Sequence, residues 1–141
     1  MAVMAGGIPG GAVFERLDFI YQPSRNVSAD LEHFRSAFGA EIVFAVERFG
    51  TRVAMVRLTP ESPGLLLAEH LAGDQAILIF RVVNLEAALA EITSSGGKIG
   101  SRFEMPYGVG AQLITPGPQR LAVYEATHAE RGRSLAGRRD F

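Results

Sequence analysis

The sequence predicts an α+β fold built from two tandem βαβββ units, which form curved mixed sheets around a cavity with one main helix in each unit. Two observations support this prediction. The order strand, helix, three strands occurs twice in the 141 residues, and short motifs recur at corresponding places in the two halves. Because repeated supersecondary units stack on one another, the repeat indicates one domain made of two equivalent parts.

The first unit begins with RLDFIYQP, a weakly alternating stretch that predicts a strand ending near Pro23. The next stretch, NVSADLEHFRSAF, has apolar residues at helical spacing, with Ser28 or Asp30 as its cap and Gly39 as its stop. Three strands follow: EIVFAVERFG, TRVAMVRLTP and LLLAEHL. The first two meet near residues 49–51, so the unit is complete before the pattern starts again.

The second unit repeats this order. AILIFRVV predicts a strand, and NLEAALAEITSSGG predicts a helix that is capped by Asn84 and ends at Gly96. SRFEMPYG, GAQLITPG and QRLAVYEA predict three more strands. The segment RFEMPYGVGA, which joins two of them, is either a mobile loop at the mouth of a ligand site or an ordinary hairpin connection.

Three pairs of motifs align the two units. They are Asp30-Leu31-Glu32 with Asn84-Leu85-Glu86 at the helix starts, Leu58-Thr59-Pro60 with Ile114-Thr115-Pro116 at a turn, and Leu67-Ala68-Glu69 with Val123-Tyr124-Glu125 in the last strands. We therefore predict a domain over residues 14–127 with units at about 14–71 and 75–127, a flexible arm over 1–13, and a basic tail over 128–141. The tail is expected to be solvated or to cross onto a second subunit.

Composition excludes several classes of function. The net charge of −1 predicts no general attraction to nucleic acid or to an anionic membrane. The absence of cysteine excludes disulfides, thiolate metal sites and cysteine nucleophiles. No apolar run approaches the roughly 20 residues of a membrane-spanning helix. These features lead us to expect a cytoplasmic protein that binds neither nucleic acid nor membrane.

The stretches DLEHFRSAFGAEIVF, IFRVVNLEAALAEITSSGG and TPGPQRLAVYE resemble the vicinal oxygen chelate superfamily. Its members include glyoxalase I, methylmalonyl-CoA epimerase, extradiol dioxygenases and bleomycin resistance proteins. The resemblance implies the paired βαβββ fold and a homodimer. It also implies a divalent metal held by histidine or glutamine from the first strand of each half and by glutamate from the last.

By this resemblance the metal-ligand positions fall on Phe19, Leu66, Ile77 and Ala122. These four side chains are apolar and offer no lone pair to a cation, so we expect neither a metal nor another cofactor. A slip of the strand register would place Asp18, Glu69 or Glu125 there instead. Slips of one or three residues also reverse the face of the strand, so those carboxylates are expected to point away from the cavity.

The loss of every expected ligand leads to the hypothesis of a metal-independent binding protein that sequesters a small apolar or aromatic molecule. Nine residues are expected to line its cavity: Phe19, Tyr21, Met55, Leu66, Ile77, Phe103, Met105, Tyr107 and Ala122. The alternative is a lyase, isomerase or dioxygenase, either metal-dependent or using Glu69, His70 or a tyrosine as its base. A third hypothesis is a subunit whose sheet or tail binds a protein partner.

Three polar residues keep two interpretations each. His70 faces the cavity if Glu69 does not, but a histidine there can also be purely structural. Arg52 and Arg81 could hold a carboxylate or sulfate on a ligand, or they could be solvated strand arginines.

Overall fold

A computed structural model describes residues 13–48 and 50–141. Residues 1–12 of the predicted arm lie outside the described residues. The elements in chain order are β1 (Arg16–Pro23), α1 (Val27–Phe38), β2 (Glu41–Arg48), β3 (Thr51–Arg57), β4 (Gly64–Ala68), β5 (Ile77–Val82), α2 (Leu85–Ser94), β6 (Lys98–Met105), β7 (Gly108–Ile114), β8 (Leu121–Glu125) and α3 (Ala129–Ser134).

One curved, open sheet of eight strands forms the centre of the molecule, in the order β2-β3-β4-β1-β5-β8-β7-β6. The first unit contributes the four strands on one side and the second unit the four on the other. The units meet at β1 and β5, which pair antiparallel, while β4 and β8 run parallel to these two central strands. The predicted α+β fold of two βαβββ units is confirmed.

Asparagines cap both main helices. The Asn26 side chain accepts a hydrogen bond from the backbone N–H of Ala29 at 3.0 Å, and Asn84 accepts one from Ala87 at 2.8 Å. The prediction of Ser28 or Asp30 as the first cap is wrong, because α1 begins at Val27 and its cap lies two residues before Ser28 and four before Asp30. Asn26 is therefore the counterpart of Asn84, and the alignment of the two helix starts shifts by four residues.

Two glutamates tie the last strand of each unit to its helix. A carboxylate oxygen of Glu69 accepts from the backbone N–H of Val27 at 3.0 Å, and one of Glu125 accepts from Leu85 at 2.8 Å. The first N–H groups of a helix have no partner within the helix, and a carboxylate there also meets the positive end of the helix dipole. Both glutamates therefore point to the helix-covered side of the sheet.

The sheet buries apolar side chains on both faces. On the outer face, α1 packs over a cluster that includes Leu31 and Val56, and α2 packs over one that includes Leu89 and Val123. The inner, concave face carries a third cluster. All four predicted metal-ligand positions belong to it, together with Phe44, Val46, Met55, Ile79 and Tyr124.

The tail folds back onto its own chain, although most of its side chains are exposed. It forms α3 and then returns to β2, where Gly137 N–H donates to the Val43 carbonyl at 2.8 Å and Asp140 N–H donates to the Ala45 carbonyl at 2.7 Å. The Phe141 ring lies 4.7 Å below the Arg52 guanidinium. The tail binds here because β2 is an edge strand with backbone groups that need partners.

None of the helices in residues 13–48 and 50–141 has the length and apolar character needed to cross a bilayer.

Candidate functional site

The concave face contains two separate cavities. The first cavity has a volume of about 370 Å³ and the second about 190 Å³. The Tyr107 ring lines both, and it contacts two residues of the second cavity. Its centroid is 4.8 Å from that of Phe19, and its hydroxyl is 3.9 Å from the Met55 sulfur.

The predicted lining residues divide between these two spaces. Six of the nine line the first cavity: Tyr21, Leu66, Ile77, Phe103, Met105 and Tyr107. Phe19 and Met55 line the second cavity instead, and Ala122 is fully buried and lines neither. The sequence predicted a single cavity, but the structure has two here, because the Tyr107 side chain lies between them on the concave face.

Sequence reasoning missed several apolar residues of the first cavity. Phe44 and Val46 are two apart on β2, so the alternation of that strand could have identified them. Leu135 follows α3 and reaches the cavity only because the tail folds back, and no local pattern in the sequence indicated this.

Three polar side chains joined by hydrogen bonds lie on the wall of the first cavity. The Tyr21 hydroxyl lies 2.9 Å from His70 Nε2, and His70 Nδ1 lies 3.3 Å from Thr51 Oγ1. His70 lines the cavity while its neighbour Glu69 contacts the start of α1, so these two residues, which directly follow β4, continue the alternation of that strand. The structure therefore brings together two of the candidate acid–base residues and removes Glu69 from them.

Burial raises the pKa of Tyr21 to about 12, so this phenol is protonated near neutral pH. We assign the Tyr21 hydroxyl as the donor to His70 Nε2. The imidazole proton then lies on Nδ1 and donates to Thr51 Oγ1. Arg48, Glu104 and Gln112 are the other polar residues of this lining, and Glu104 lies 3.3 Å from His128 Nε2.

The residues present do not fit the metal of the superfamily. Phe19, Leu66, Ile77 and Ala122 all belong to the concave cluster, and none has a donor atom. Within residues 13–48 and 50–141, no three His, Asp or Glu side chains come close enough to hold an ion.

Asp18 is the unexpected residue of the concave face. The pairing of β1 with β5 shifts between Leu17 and Phe19, and this irregularity lets Asp18 and Phe19 both line the second cavity. The Asp18 carboxylate is only 5% exposed and accepts a hydrogen bond from the Tyr124 hydroxyl at 2.5 Å. Burial, followed by this carboxylate, raises the pKa of Tyr124 above its usual value.

The two arginines considered as ligand-binding residues have different places. Arg52 lies away from both cavities, where it donates to Ser28 Oγ at 2.7 Å and covers Phe141. Arg81 lines the second cavity and forms an ion pair with Glu15 at 3.4 Å.

No protein-family model matches the sequence, and no curated protein matches it. Solved structures do match. Methylmalonyl-CoA epimerase from Mycobacterium tuberculosis has a TM-score of 0.71 at 13% identity, covering 86% of this chain and 94% of its own. A Streptomyces coelicolor methylmalonyl-CoA epimerase variant in complex with 2-nitronate-propionyl-CoA has a TM-score of 0.66 at 17% identity, covering 81% and 99%. A methylmalonyl-CoA epimerase in complex with methylmalonyl-CoA and ammonium has a TM-score of 0.67 at 16% identity, covering 82% and 97%.

The chain has the vicinal oxygen chelate fold. At these identities the likeness shows the fold, and the fold alone does not assign a reaction.

The hypothesis of a metal-independent sequestering protein is wrong, because these similar structures are epimerases and the alternative of an isomerase agrees with them better. The error has a physical reason. Apolar residues at the ligand positions argue against a metal in that place, but they do not argue against proton transfer. Tyr21, His70 and Thr51 are far apart in the sequence, and only the fold brings them into one hydrogen-bonded group.

Proposed function

We propose that this chain is an isomerase that removes and returns a proton on a small substrate in the first cavity. The observation that carries the proposal is the Tyr21–His70–Thr51 chain on the wall of a cavity of about 370 Å³. Small-molecule sites are concave, mostly apolar spaces of roughly 300–1,000 Å³ with a few convergent polar groups. The epimerases with this fold give independent support for isomerase chemistry.

In the proposed mechanism, Tyr21 and His70 act as a proton relay. The Tyr21 oxygen takes a proton from the carbon next to a substrate carbonyl while its own proton passes to His70 Nε2. The phenol thus stays neutral, as its raised pKa favours, and the positive charge appears on the imidazole. Thr51 Oγ1 accepts from the Nδ1–H of that imidazolium. Once the planar enolate presents its opposite face to Tyr21, reversal of the relay returns a proton to that face and inverts the configuration of the carbon, while the carbon skeleton stays unchanged.

The lining also suggests the kind of substrate. Its apolar side chains suit an acyl chain, and Arg48 supplies a positive charge that suits a substrate carboxylate or the enolate oxygen. We propose an acyl thioester whose acyl end enters the cavity. Methylmalonyl-CoA is the first compound to try, because it is bound in one of the similar structures.

The test is hydrogen exchange at the substrate. Methylmalonyl-CoA and other α-substituted acyl thioesters are incubated with the protein in deuterated water, and NMR follows deuterium uptake next to the carbonyl. We expect protein-dependent exchange, which His70→Asn and Tyr21→Phe slow by about 10²–10⁴-fold because general acid–base catalysis is lost. His33→Asn, which changes an exposed histidine of α1, is the control and should leave the rate unchanged. Equal rates for the wild type and His70→Asn would refute the relay, and a panel with no exchange at all would refute the substrate class.

Three finer expectations stay predictions and belong to this proposal: catalysis without a metal, a homodimer, and a cytoplasmic location. Elemental analysis during the exchange assay tests the first, and sedimentation at assay concentration tests the second.

A further inference from the structure

The second cavity differs from the first in its charge. Four arginines line it, Arg16, Arg57, Arg81 and Arg133, against a single carboxylate, Asp18. The arginines come from β1, β3, β5 and α3, so the fold gathers them from four separate elements. A space of about 190 Å³ with this lining has an excess of positive charge.

The Asp18 carboxylate already accepts hydrogen bonds from side chains of the protein. One Asp18 oxygen accepts from Arg16 Nε at 2.5 Å and from the Ser62 hydroxyl at 3.3 Å, and the other accepts from the Tyr124 hydroxyl at 2.5 Å. Asp18 therefore neutralises Arg16 and leaves the other three arginines of the cavity without a carboxylate from the lining.

The positive charges of those three arginines are also poorly neutralised by carboxylates outside the cavity. Arg81 reaches Glu15 at 3.4 Å and Arg133 reaches Glu130 at 3.6 Å, distances typical of loose surface pairs. In the described part of the chain, Arg57 has no carboxylate within 4 Å, and its buried Nη1 has no hydrogen-bond partner. Buried polar atoms in native proteins are almost always paired, so this guanidinium lacks an acceptor that the chain itself does not supply.

We propose that the second cavity binds a small oxyanion, a phosphate or a carboxylate, through Arg57 with help from Arg81 and Arg133. A guanidinium presents parallel N–H groups that match two oxygens of such an anion, and this geometry is the usual basis of arginine specificity for phosphates and carboxylates. The proposal does not depend on the Tyr21–His70 relay, which lies in the other cavity.

Thermal unfolding with added anions tests this site. Inorganic phosphate and malonate are each added at constant ionic strength against chloride. We expect at least one to raise the Tm by about 9 °C at a concentration near 100 times its Kd. The better anion identifies the ligand class. Arg57→Met should lose the rise, while its Tm without anion should stay at or above that of the wild type because a buried unpaired charge is removed. Arg35→Met removes an arginine from the exposed face of α1 and should keep the full rise.

Two results would overturn the proposal. One is the same anion-dependent rise in Arg57→Met as in the wild type, and the other is the absence of any rise with phosphate and malonate. If Arg57→Met does not fold, Arg133→Met removes an exposed cation of the same cavity and should weaken anion binding about tenfold by calorimetry. Unchanged affinity in that variant would also contradict the site. His70→Asn should keep the anion effect, which separates this outcome from that of the proposed reaction.

Discussion

At the scale of single residues, the absorbance of the tyrosines is a probe of burial on the concave face. The chain has three tyrosines and no tryptophan, so its near-ultraviolet absorbance comes mainly from Tyr21, Tyr107 and Tyr124. Each belongs to the concave cluster or packs against it. Burial is the main cause of the raised pKa of each phenol, because a phenolate loses hydration there.

We predict that Tyr21 and Tyr107 ionise near pH 12 in the folded protein, against an ordinary value of 10.0. A raised pKa means that the folded state holds the proton more tightly than the unfolded state. The stabilising contribution is therefore complete below pH 10 and is lost as the pH rises through about 12. Tyrosinate absorbance during an alkaline titration measures the ionisation directly.

The same titration in concentrated urea is the control, and all three phenols should then ionise near pH 10. In urea unfolding between pH 10 and 12, Tyr21→Phe should lose less stability than the wild type. Identical titration curves for the folded and unfolded chains would show that these phenols are solvated.

Side-chain direction could be predicted from the sequence only where the strands are regular. The alternation of side chains along the strand correctly predicted that Glu69 faces away from the cavity, which allowed His70 to face it. It failed at Asp18, since the irregular pairing beside Phe19 lets two consecutive residues face the interior. Such an irregularity depends on the partner strand, so nothing within RLDFIYQP signals it.

At the scale of elements, each helix start is held by an asparagine of its own loop and by a glutamate at the end of the last strand of its unit. For α2 these residues are Asn84 and Glu125, which accept from the backbone N–H groups of Ala87 and Leu85. The arrangement repeats at α1 with Asn26 and Glu69, so the two units share one method of attaching a helix to the sheet.

We predict that Asn84→Ala lowers the free energy of unfolding by about 1 kcal/mol, because a helix N–H loses its acceptor. Glu125→Ala should cost about 1–2 kcal/mol, since it leaves Leu85 N–H unpaired and also removes the charge near the helix dipole. Chemical denaturation measures both values. Glu91→Ala changes an exposed glutamate of the same helix and should stay within about 0.5 kcal/mol of the wild type. Equal costs for Glu91→Ala and Glu125→Ala would contradict the specific attachment.

Sequence periodicity predicted both main helices and the order of the strands, but it placed the first cap two to four residues too late. Ser28 and Asp30 are good capping residue types, and both lie inside α1. The choice of Asn26 depends on backbone conformation, because this residue is extended with a φ of −151°. Residue preference alone does not distinguish it from its neighbours.

At the scale of the whole molecule, the tail completes an edge of the sheet. Backbone hydrogen bonds join residues 137–140 to Val43 and Ala45 of β2, and the Asp140 carboxylate accepts from the Glu47 N–H at 2.8 Å. An uncovered edge strand is a template for pairing with another chain.

We predict that a chain ending at residue 136 unfolds at a lower temperature and associates with itself as concentration rises, because the β2 edge is exposed. Light scattering and thermal unfolding over a concentration series measure the two effects. Arg131→Ala removes a positive charge from α3 without touching the edge and should behave like the wild type. A truncated chain that scatters light no more than the full chain would show that the tail is dispensable for protecting the edge.

The repeat allowed the whole fold to be predicted, since paired motifs in the two halves depend on local sequence that recurs. The docking of the tail could not be predicted, because HAERGRSLAGRRDF has no strand alternation and joins β2 largely through backbone hydrogen bonds. The hypothesis of a sequestering protein failed for another reason. It was judged from four apolar ligand positions, while the Tyr21–His70 pair joins residues 49 positions apart in the chain.

Tyr107 stands where the two cavities meet, and its ring is confined on the far side by Gly132, whose position leaves no room for even a methyl group. Because the Tyr107 ring lines both cavities, any rotation that enlarges one cavity makes the other smaller. A molecule in one cavity would therefore reduce the volume of the other without touching its occupant. An anion bound beside Arg57 in the second cavity would limit the size of the substrate that the first cavity admits.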